Sequence, residues 1–539
     1  MLAMHEILRA QLAGLSVCKD VRTCTWVALK VARTTPQAVW RLHHRSGGDR
    51  SRTPRVPPLN VISFKFNQIA TMLCNGSELP PDIKHLSIKQ QFRLATPSLF
   101  KWPPRLERLT LTGGYCANNL THDLSEGDLP SYLTELDLGD KFNTPLARVL
   151  PPTLKALTLG QAYNQPLDGV VWPRNLERVM FGRNFNKPVI AWMPLVPRLR
   201  VLTFGDCFNQ TVVGLSWPPG LRELAFGGRF DQPLPRVLPE KLEVIDFGGC
   251  FDEPLDAVIS WPLCMVKKMT LSVRFNQPLP RILPAKLEIL SFGERFDQPL
   301  DGVSWPPGLR EVNFGFSFNQ EVDEISWPPG LTKVTFGFCF NQPLPEKLPK
   351  TLELVAFGSA FNQPLEGVAW PGLRQLDLGN DFNHPLPRAL PEKLEVLKFS
   401  DMFNKSLDRV SWPPGLTKIA FGKCFDQPLD EVTWPPGLTE IDFGFVFNQP
   451  LDGVSLPDAV REMTLAHCFN QPLPERLPAK LKRLILGRSF NCPVDGVVWP
   501  QGLKEIRFGD SFEQPLRGVR FPPGSGLSGY LATGKKWTS

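Results

Sequence analysis

The 539-residue sequence has no long apolar run and no compact secretory leader. A membrane-spanning helix needs about 20 consecutive apolar residues, and the chain contains no such stretch. Near the N-terminus, Glu6, Arg9, Lys19 and Asp20 interrupt the apolar segment that a signal peptide would need. We therefore expect no membrane partner and an intracellular, cytoplasmic protein.

Motifs typical of enzymes and metal sites are missing as well. Neither G-x-S-x-G nor H-E-x-x-H occurs, and the seven histidines are dispersed. Gly524 to Gly529 matches G-x-G-x-x-G, but a phosphate-binding loop needs a helix after it, and only ten residues follow. We expect no enzyme activity, no catalytic residue, no cofactor and no metal.

Most of the chain also lacks net charge. Ten of the 60 Lys and Arg residues and three of the 53 Asp and Glu residues lie in residues 1–58, so this segment carries the whole net charge of +7. A balanced chain has no basic field to hold nucleic acid, and no nucleic-acid partner is expected. The basic N-terminal segment is interpreted as a cap or tail, with an organelle transit sequence as the alternative.

What the sequence does have is a repeat. A phrase close to Phe-Asn-Gln-Pro-Leu returns every 21 to 24 residues. Self-similarity at this period indicates a solenoid, in which each repeat packs on its neighbours and offers a long binding surface. Its aromatic anchors are Phe142, Tyr163, Phe185, Phe208, Phe230, Phe251, Phe275, Phe296, Phe318, Phe340, Phe361, Phe382, Phe403, Phe425, Phe447, Phe469, Phe490 and Phe512.

Each repeat contains a strand pattern, which we number from Leu331 at position 1 to Gly337 at position 7 and Phe338 at position 8. Apolar residues at positions 4 and 6 alternate with outward-facing residues at 3 and 5, as a strand requires. The pattern predicts a mainly β, elongated, right-handed β-solenoid with one parallel strand per repeat. It has about 18 clear repeats and three degenerate ones near Phe66, Phe92 and Tyr115.

The return path between strands is rich in proline. One form reads Asp-Gly-Val-Ser-Trp-Pro-Pro-Gly from Asp301 to Gly308, and a shorter form runs from Pro235 to Lys241. Frequent proline excludes an α-helix there, and Pro-Gly predicts a type II turn. The in-phase tryptophans are expected to cover the outer core.

The anchor and the residue after it are expected to form ladders from repeat to repeat. The anchor ring turns into the core, and the following Asn hydrogen-bonds backbone at the corner. Aspartate replaces this Asn at Asp231, Asp252, Asp297 and Asp426, and glutamate does so at Glu513. Because a carboxylate accepts hydrogen bonds and does not donate them, these repeats are expected to satisfy fewer carbonyls.

The unit Leu-x-x-Leu-x-Phe-Gly-x-x-Phe-Asn-x-Pro-Leu resembles the FNIP repeat family, densely over residues 130 to 515 and in degenerate form over 59 to 129. The resemblance implies a leucine-rich-repeat-like solenoid that binds proteins, and it brings no catalytic residues. Some family members begin with an F-box, and a diverged F-box is a further interpretation of the partly helical segment 1–58. The Trp-Pro-Pro-Gly return departs from the commoner family pattern. Residues 516–539 are predicted to form a flexible tail.

Positions 3, 5 and 8 should face the open side of the sheet. Position 3 depends on the return type: repeats with a Trp-Pro return carry a charged or amide residue, and most with a Leu-Pro return carry an aliphatic one, a mixture typical of protein-binding faces. Position 8 holds Phe316 and Phe338 in neighbouring repeats, which are either exposed interface anchors or extra core folded over the glycine corner. The candidate partner-binding residues are Phe316, Phe338, Phe445, Lys333, Lys418, Glu311, Leu354 and Val396.

We therefore predict a monomeric, non-enzymatic scaffold that binds a protein partner of unknown identity through the exposed sheet face. One alternative is a ubiquitin-ligase substrate adaptor, and another is a carbohydrate-binding solenoid or a parallel β-helix enzyme. Such an enzyme groups carboxylates in neighbouring repeats, whereas the position-5 acids lie several repeats apart. These acids are Asp137, Asp246, Asp377 and Asp442.

Overall fold

The computed structural model describes residues 30–31, 61–65, 82–89, 102–112, 129–146, 150–258, 260–523, 526–530 and 536–538. The chain divides into two compact units, residues 1–235 and 236–539. Apart from Lys30–Val31, the segment 1–58, to which the predictions of a cap, a transit sequence or an F-box apply, lies outside the described residues, and so do the degenerate anchors Phe66, Phe92 and Tyr115.

In the first unit, the strands form a sheet in chain order. β1 pairs antiparallel with β2, and from β2 to β9 each strand pairs parallel with the next. The strands are β1 Lys30–Val31, β2 Val61–Lys65, β3 His85–Lys89, β4 Arg108–Thr112, β5 Glu135–Asp137, β6 Ala156–Thr158, β7 Arg178–Met180, β8 Val201–Thr203 and β9 Glu223–Ala225.

In the second unit, each strand from β10 to β23 pairs parallel with the next, and β24 pairs antiparallel with β23. The strands are β10 Val244–Asp246, β11 Lys268–Thr270, β12 Ile289–Ser291, β13 Glu311–Asn313, β14 Lys333–Thr335, β15 Leu354–Ala356, β16 Gln375–Asp377, β17 Val396–Lys398, β18 Lys418–Ala420, β19 Glu440–Asp442, β20 Glu462–Thr464, β21 Arg483–Ile485, β22 Glu505–Phe508, β23 Gly526–Tyr530 and β24 Lys536–Thr538. The last two strands lie within the segment predicted to be a flexible tail.

The predicted parallel β-solenoid with one short strand per repeat is confirmed. Helix among the described residues is limited to two 3-10 turns, Met193–Leu195 and Trp261–Leu263. In the regular repeats the strand covers positions 3 to 5, and only the middle side chain is buried, as in Lys333–Val334–Thr335. Alternation in a strand puts positions 3 and 5 on the open face and position 4 in the core.

The anchors form a continuous stack in each unit, as predicted. In the second unit, neighbouring anchor rings from Phe251 to Phe512 have centroids 6.0 to 6.3 Å apart. Phe340 is fully buried between Phe318 and Phe361. Burial of one large ring per repeat supplies much of the apolar area that stabilises the array.

The Asn ladder forms, but the expectation for the acidic replacements is wrong. The Asn341 Oδ1 atom accepts the backbone N–H of Asn362 at 2.8 Å, one repeat further on. The side chain therefore works as an acceptor, which a carboxylate also supplies: Asp297 Oδ1 accepts the N–H of Asn319 at 2.9 Å. This shared acceptor role explains why Asn and Asp interchange in the ladder.

The return path ends in the same turn in both repeat types, and the type II prediction is wrong. The Leu309 N–H donates to the Pro306 carbonyl at 3.1 Å, and the Leu242 N–H donates to Pro239 at 3.1 Å. Gly308 is not among the glycines with positive φ, which a type II turn requires at that place. Because this turn position does not require a positive φ, a lysine (Lys241) can occupy it in the shorter return and a glycine (Gly308) in the longer one.

Glycine at position 7 is required by close packing of neighbouring backbones. A Cβ atom on Gly337 would lie 1.6 Å from the carbonyl oxygen of Gly315 in the preceding repeat. No side chain fits at that distance without a backbone shift. Among the described repeats of the second unit, position 7 is not glycine at Ser272, Ser400 and Ala466.

These three exceptions follow repeats in which the glycine turn is different. Ser272, Ser400 and Ala466 each come after a repeat whose position-7 glycine has positive φ, namely Gly248 (73°), Gly379 (76°) and Gly444 (78°). Each of those glycines donates its N–H to the position-5 aspartate two residues earlier, at 2.9 to 3.1 Å. We attribute the room for a Cβ to this altered turn, which redirects the glycine carbonyl.

In the first unit, a position-7 glycine with positive φ is not followed by a larger residue at position 7 of the next repeat. Gly139 also has positive φ (74°) and donates to Asp137, yet its carbonyl still accepts the Phe142 N–H as in ordinary repeats. A Cβ on Gly160 would consequently lie 1.7 Å from the Gly139 oxygen, and glycine stands there.

Candidate protein-interaction surface

The candidate surface is the open face of the second unit, which consists of the side chains at positions 3, 5 and 8. Parallel pairing aligns equal positions of successive strands, so that Glu311, Lys333 and Leu354 are direct neighbours. The same row continues through Gln375, Val396, Lys418 and Glu440. The structure thus brings all five position-3 candidates of the sequence analysis into one uninterrupted row.

Phe316 and Phe338 form an exposed aromatic pair next to this row. Their ring centroids lie 4.5 Å apart with an interplanar angle of 5°, and the residues are 50% and 48% exposed. The alternative that they fold over the glycine corner as extra core is therefore wrong. An aromatic pair that is exposed on a monomer can bury a large apolar area on association.

Charges in the position-3 row are paired rather than free. The Lys333 Nζ lies 2.9 Å from Glu311 Oε1, and the Asn313 amide donates to the same oxygen at 2.8 Å. These hydrogen bonds, from Asn313 first and Lys333 second, lower the pKa of Glu311. Lys418 makes a comparable pair with Glu440 at 2.6 Å. Side chains held in this way present a fixed pattern to a partner.

The aliphatic candidates separate these ion pairs. Leu354 and Val396 are both half-buried. The strand β16 lies between them and places Gln375 in their row. The result is a polar pair, then Leu354 and Val396 on either side of Gln375, and then a second polar pair.

A second exposed aromatic pair lies further along the position-8 row. Phe445 is 45% exposed and stacks on His467, with centroids 4.5 Å apart and an interplanar angle of 8°. Phe445 is one of the residues predicted from the sequence, whereas His467 is not. Register alone could have found it, because His467 stands at position 8 of the next repeat.

Asp442 is a further open-face residue that the sequence analysis did not select. It follows the buried Ile441 on β19, and its Oδ1 accepts the Gly444 N–H at 3.0 Å. Burial raises the pKa of Asp442, and repulsion from Glu440 adds to this, while the Gly444 hydrogen bond and Lys418 act in the opposite direction.

No group of three or more His, Cys, Asp or Glu side chains among the described residues could hold a metal ion. No helix in this part of the chain is long and apolar enough to cross a membrane.

Solved structures include a protein with similar repeats. The chain is 29% identical to CroV588, whose crystal structure is described as a novel circular LRR protein, with a TM-score of 0.67 over 88% of this chain and 79% of that one. Mouse RP105 in its complex with MD-1 gives 12% identity and a TM-score of 0.43 over 88% of this chain and 87% of that one. Curated protein sequences give no match.

The FNIP repeat model matches the chain at seven places that together span more than half of it. The matched residues are 119–162, 208–250, 275–317, 296–339, 382–424, 425–467 and 469–511. They include the repeats that carry Phe316, Phe338 and Phe445. This protein is a member of the FNIP repeat family.

Proposed function

We propose that this protein is a non-enzymatic scaffold that binds a protein partner through the open face of its parallel sheet. The single observation that carries the proposal is the exposed Phe316–Phe338 pair, stacked at 4.5 Å. Two rings held against each other lose little conformational freedom on binding, so that their apolar area contributes to affinity with a small entropic cost. Aromatic residues of this kind are enriched among the side chains that dominate binding energy.

The surroundings of the pair favour a protein over a nucleic acid. The row beside it combines an ion pair, Glu311–Lys333, with the aliphatic Leu354. A nucleic-acid surface would instead present unpaired cations to phosphates. A mixture of apolar and paired polar groups matches the composition of protein interfaces.

The proposal is tested by proximity labelling with the full chain in cells. The wild type is compared with the double variant Phe316→Ser/Phe338→Ser, and a partner identified with the wild type is then purified for direct binding measurements. Loss of two anchors at the centre of an interface should weaken binding by at least about tenfold.

The control is a second double variant, Ile282→Ser/Val498→Ser, at two exposed apolar residues of the return path that are 60% and 58% exposed. It removes exposed apolar area without touching the open face. The proposal predicts that partner binding persists in this variant. Equal binding by the wild type and the Phe316→Ser/Phe338→Ser variant would contradict it.

A further inference from the structure

We infer that the open face contains a recognition site for a single lysine or arginine side chain of a protein partner, formed by the Asp442 carboxylate and the Phe445–His467 pair. The inference rests on the proposed function, because it specifies the chemistry of a partner that reaches the same face. It concerns a different part of that face from Phe316 and Phe338.

Charged side chains along this part of the face are paired, with one exception. Between Lys398 and Asp510, each charged side chain at positions 3, 5 and 8 other than Asp442 has an opposite charge within 4 Å. The pairs are Lys398–Asp377, Lys423–Asp401, Lys418–Glu440, Arg483–Glu462, Arg483–Glu505, Arg507–Glu505 and Arg488–Asp510. Among the described residues, Asp442 has no ion-pair partner, because Lys418 forms its ion pair with Glu440.

The protein itself contains an example of the expected contact, at Asp377. Asp377 has the same turn as Asp442: its Oδ1 accepts the N–H of Gly379 at 3.1 Å. Its other oxygen, Oδ2, accepts from Lys398 Nζ at 2.8 Å, and Lys398 is its direct neighbour on the next strand. The direct neighbour of Asp442 on the next strand is Thr464, whose side chain is uncharged. A lysine from a partner can therefore make at Asp442 the contact that Lys398 makes at Asp377.

An exposed aromatic pair accompanies this carboxylate. Phe445 follows Asp442 by three residues, directly after the Gly444 turn, and is 45% exposed. Exposed rings can pack against the methylene stem of a lysine or arginine side chain while its charged end reaches the carboxylate. A carboxylate and an aromatic ring on one surface are thus the two groups that a lysine or arginine side chain uses best. Burial raises the pKa of the Asp442 carboxyl, and a cation bound beside it would lower that pKa again.

The position-8 row also limits what the partner presents. Lys423 and Arg488 occupy the two sides of the Phe445–His467 pair, in the repeats before and after it. Both are already neutralised, by Asp401 at 2.7 Å and Asp510 at 3.2 Å. Because these pairs also occupy the carboxylates of Asp401 and Asp510, Asp442 is the one carboxylate at positions 3, 5 and 8 between Lys398 and Asp510 that is left for an added cation. The site therefore fits one basic residue within an otherwise uncharged segment.

The experiment uses the full chain and a defined probe, a ten-residue Gly/Ser peptide with one central lysine and a benzophenone group. Companion peptides carry arginine, norleucine or glutamate in place of the lysine. Cross-linked positions are mapped by mass spectrometry. We expect the lysine and arginine peptides to label residues 440–468 at least about tenfold more than the norleucine and glutamate peptides.

Four variants make the test specific. Asp442→Asn retains the oxygen that accepts the Gly444 N–H and should lose the labelling. Thr464→Lys places a lysine beside Asp442 in the way that Lys398 lies beside Asp377, on the next strand, and should also lose the labelling. The uncharged Thr464→Gln should keep the labelling. The matched control is Asp246→Asn, because Asp246 has the same turn and the same threonine neighbour, Thr270, but Gly249 in place of Phe445. This control should keep the labelling at 440–468.

Equal labelling by the lysine and norleucine peptides, or unchanged labelling in Asp442→Asn and Thr464→Lys, would overturn the inference. The two proposals fail separately. If partner binding still depends on Phe316 and Phe338 while lysine labelling at 440–468 is absent, only the basic-residue site is wrong.

Discussion

The ring of Phe338 lies parallel to that of Phe316 at 4.5 Å on the open face. Two residues further along the chain, Phe340 is fully buried and stacks on Phe361 at 6.0 Å. The two neighbouring phenylalanines thus have different roles, one available to a partner and one in the core.

Phe340→Ala is expected to destabilise the second unit by about 3–5 kcal/mol, because it removes a buried ring and leaves a cavity in the stack. Phe338→Ala, at a half-exposed ring, should cost less than about 1 kcal/mol. Repeat arrays do not always unfold in one step, so native-state hydrogen exchange of residues 331–361 is the appropriate measurement. Equal protection in both variants would contradict the assignment of Phe340 to the core.

Gly337→Ala is expected to be severely destabilising, by more than about 3 kcal/mol, because its Cβ would lie 1.6 Å from a backbone oxygen. Gly308→Ala is the control, since its Cβ would find its nearest neighbour at 3.8 Å, an ordinary contact. It should be neutral or stabilise by about 0.4–1 kcal/mol through the unfolded chain. Chemical denaturation of both variants distinguishes these outcomes, and a mild Gly337→Ala would argue against close packing at position 7.

Asn341→Asp is expected to be tolerated better than Asn341→Ala. The Asn341 Oδ1 accepts from the Asn362 N–H and, at 3.2 Å, from the Gln363 side chain. Aspartate keeps an acceptor there, whereas alanine leaves a donor unpaired at a cost of about 1–2 kcal/mol. Thermal unfolding of the two variants is the measurement. The acceptor interpretation fails if the aspartate variant is the less stable of the two.

Asp442→Asn is expected to stabilise the protein at pH 7. Because burial raises the pKa of Asp442, the folded state holds its proton at pH values where the unfolded chain, with a pKa of about 3.9, has released it. The protonated Asp442 therefore does not reduce the free energy of unfolding below about pH 4. Its ionised form increasingly reduces that free energy as pH rises through the folded pKa.

The advantage of the Asn variant should accordingly shrink as pH falls through the folded pKa of Asp442 and be lost below about pH 4. Asp377→Asn is the contrast, since it breaks the ion pair with Lys398 and should destabilise slightly, by about 0.2–1 kcal/mol. Melting temperatures of both variants between pH 3 and 7 test the difference in sign. A pH-independent effect of Asp442→Asn would contradict the assigned cause.

Tyr163→Phe is expected to stabilise the first unit. Tyr163 is a fully buried member of the anchor stack, and its hydroxyl has no hydrogen-bond partner among the described residues. Phenylalanine removes a buried unpaired group that costs about 1–3 kcal/mol.

Burial also raises the pKa of Tyr163, so the wild type should lose stability above about pH 10 through this group. Alkaline titration of thermal stability should show that loss in the wild type and less of it in the variant.

The strand, the anchor stack and the open-face row could be read from the repeat, because each depends on contacts between equal positions of successive repeats. A fixed period makes those contacts predictable. The type of the turn after Pro306 could not be predicted from the sequence, since Pro-Gly is compatible with more than one turn type. The role of Asn341 as an acceptor was missed for a similar reason: an amide can both donate and accept.

The sequence by itself determined that the repeats stack in register, with one strand each and an aromatic ring in the core, because apolar spacing at a constant period has a single consistent solution. Only the tertiary structure decided which chemically similar residues differ in environment. Phe316 is exposed while Phe318 is buried, and Gly248 turns with a positive φ whereas Gly315, at the same position of another repeat, does not. These differences depend on how adjacent repeats pack in three dimensions, and a pattern within one repeat does not contain that information.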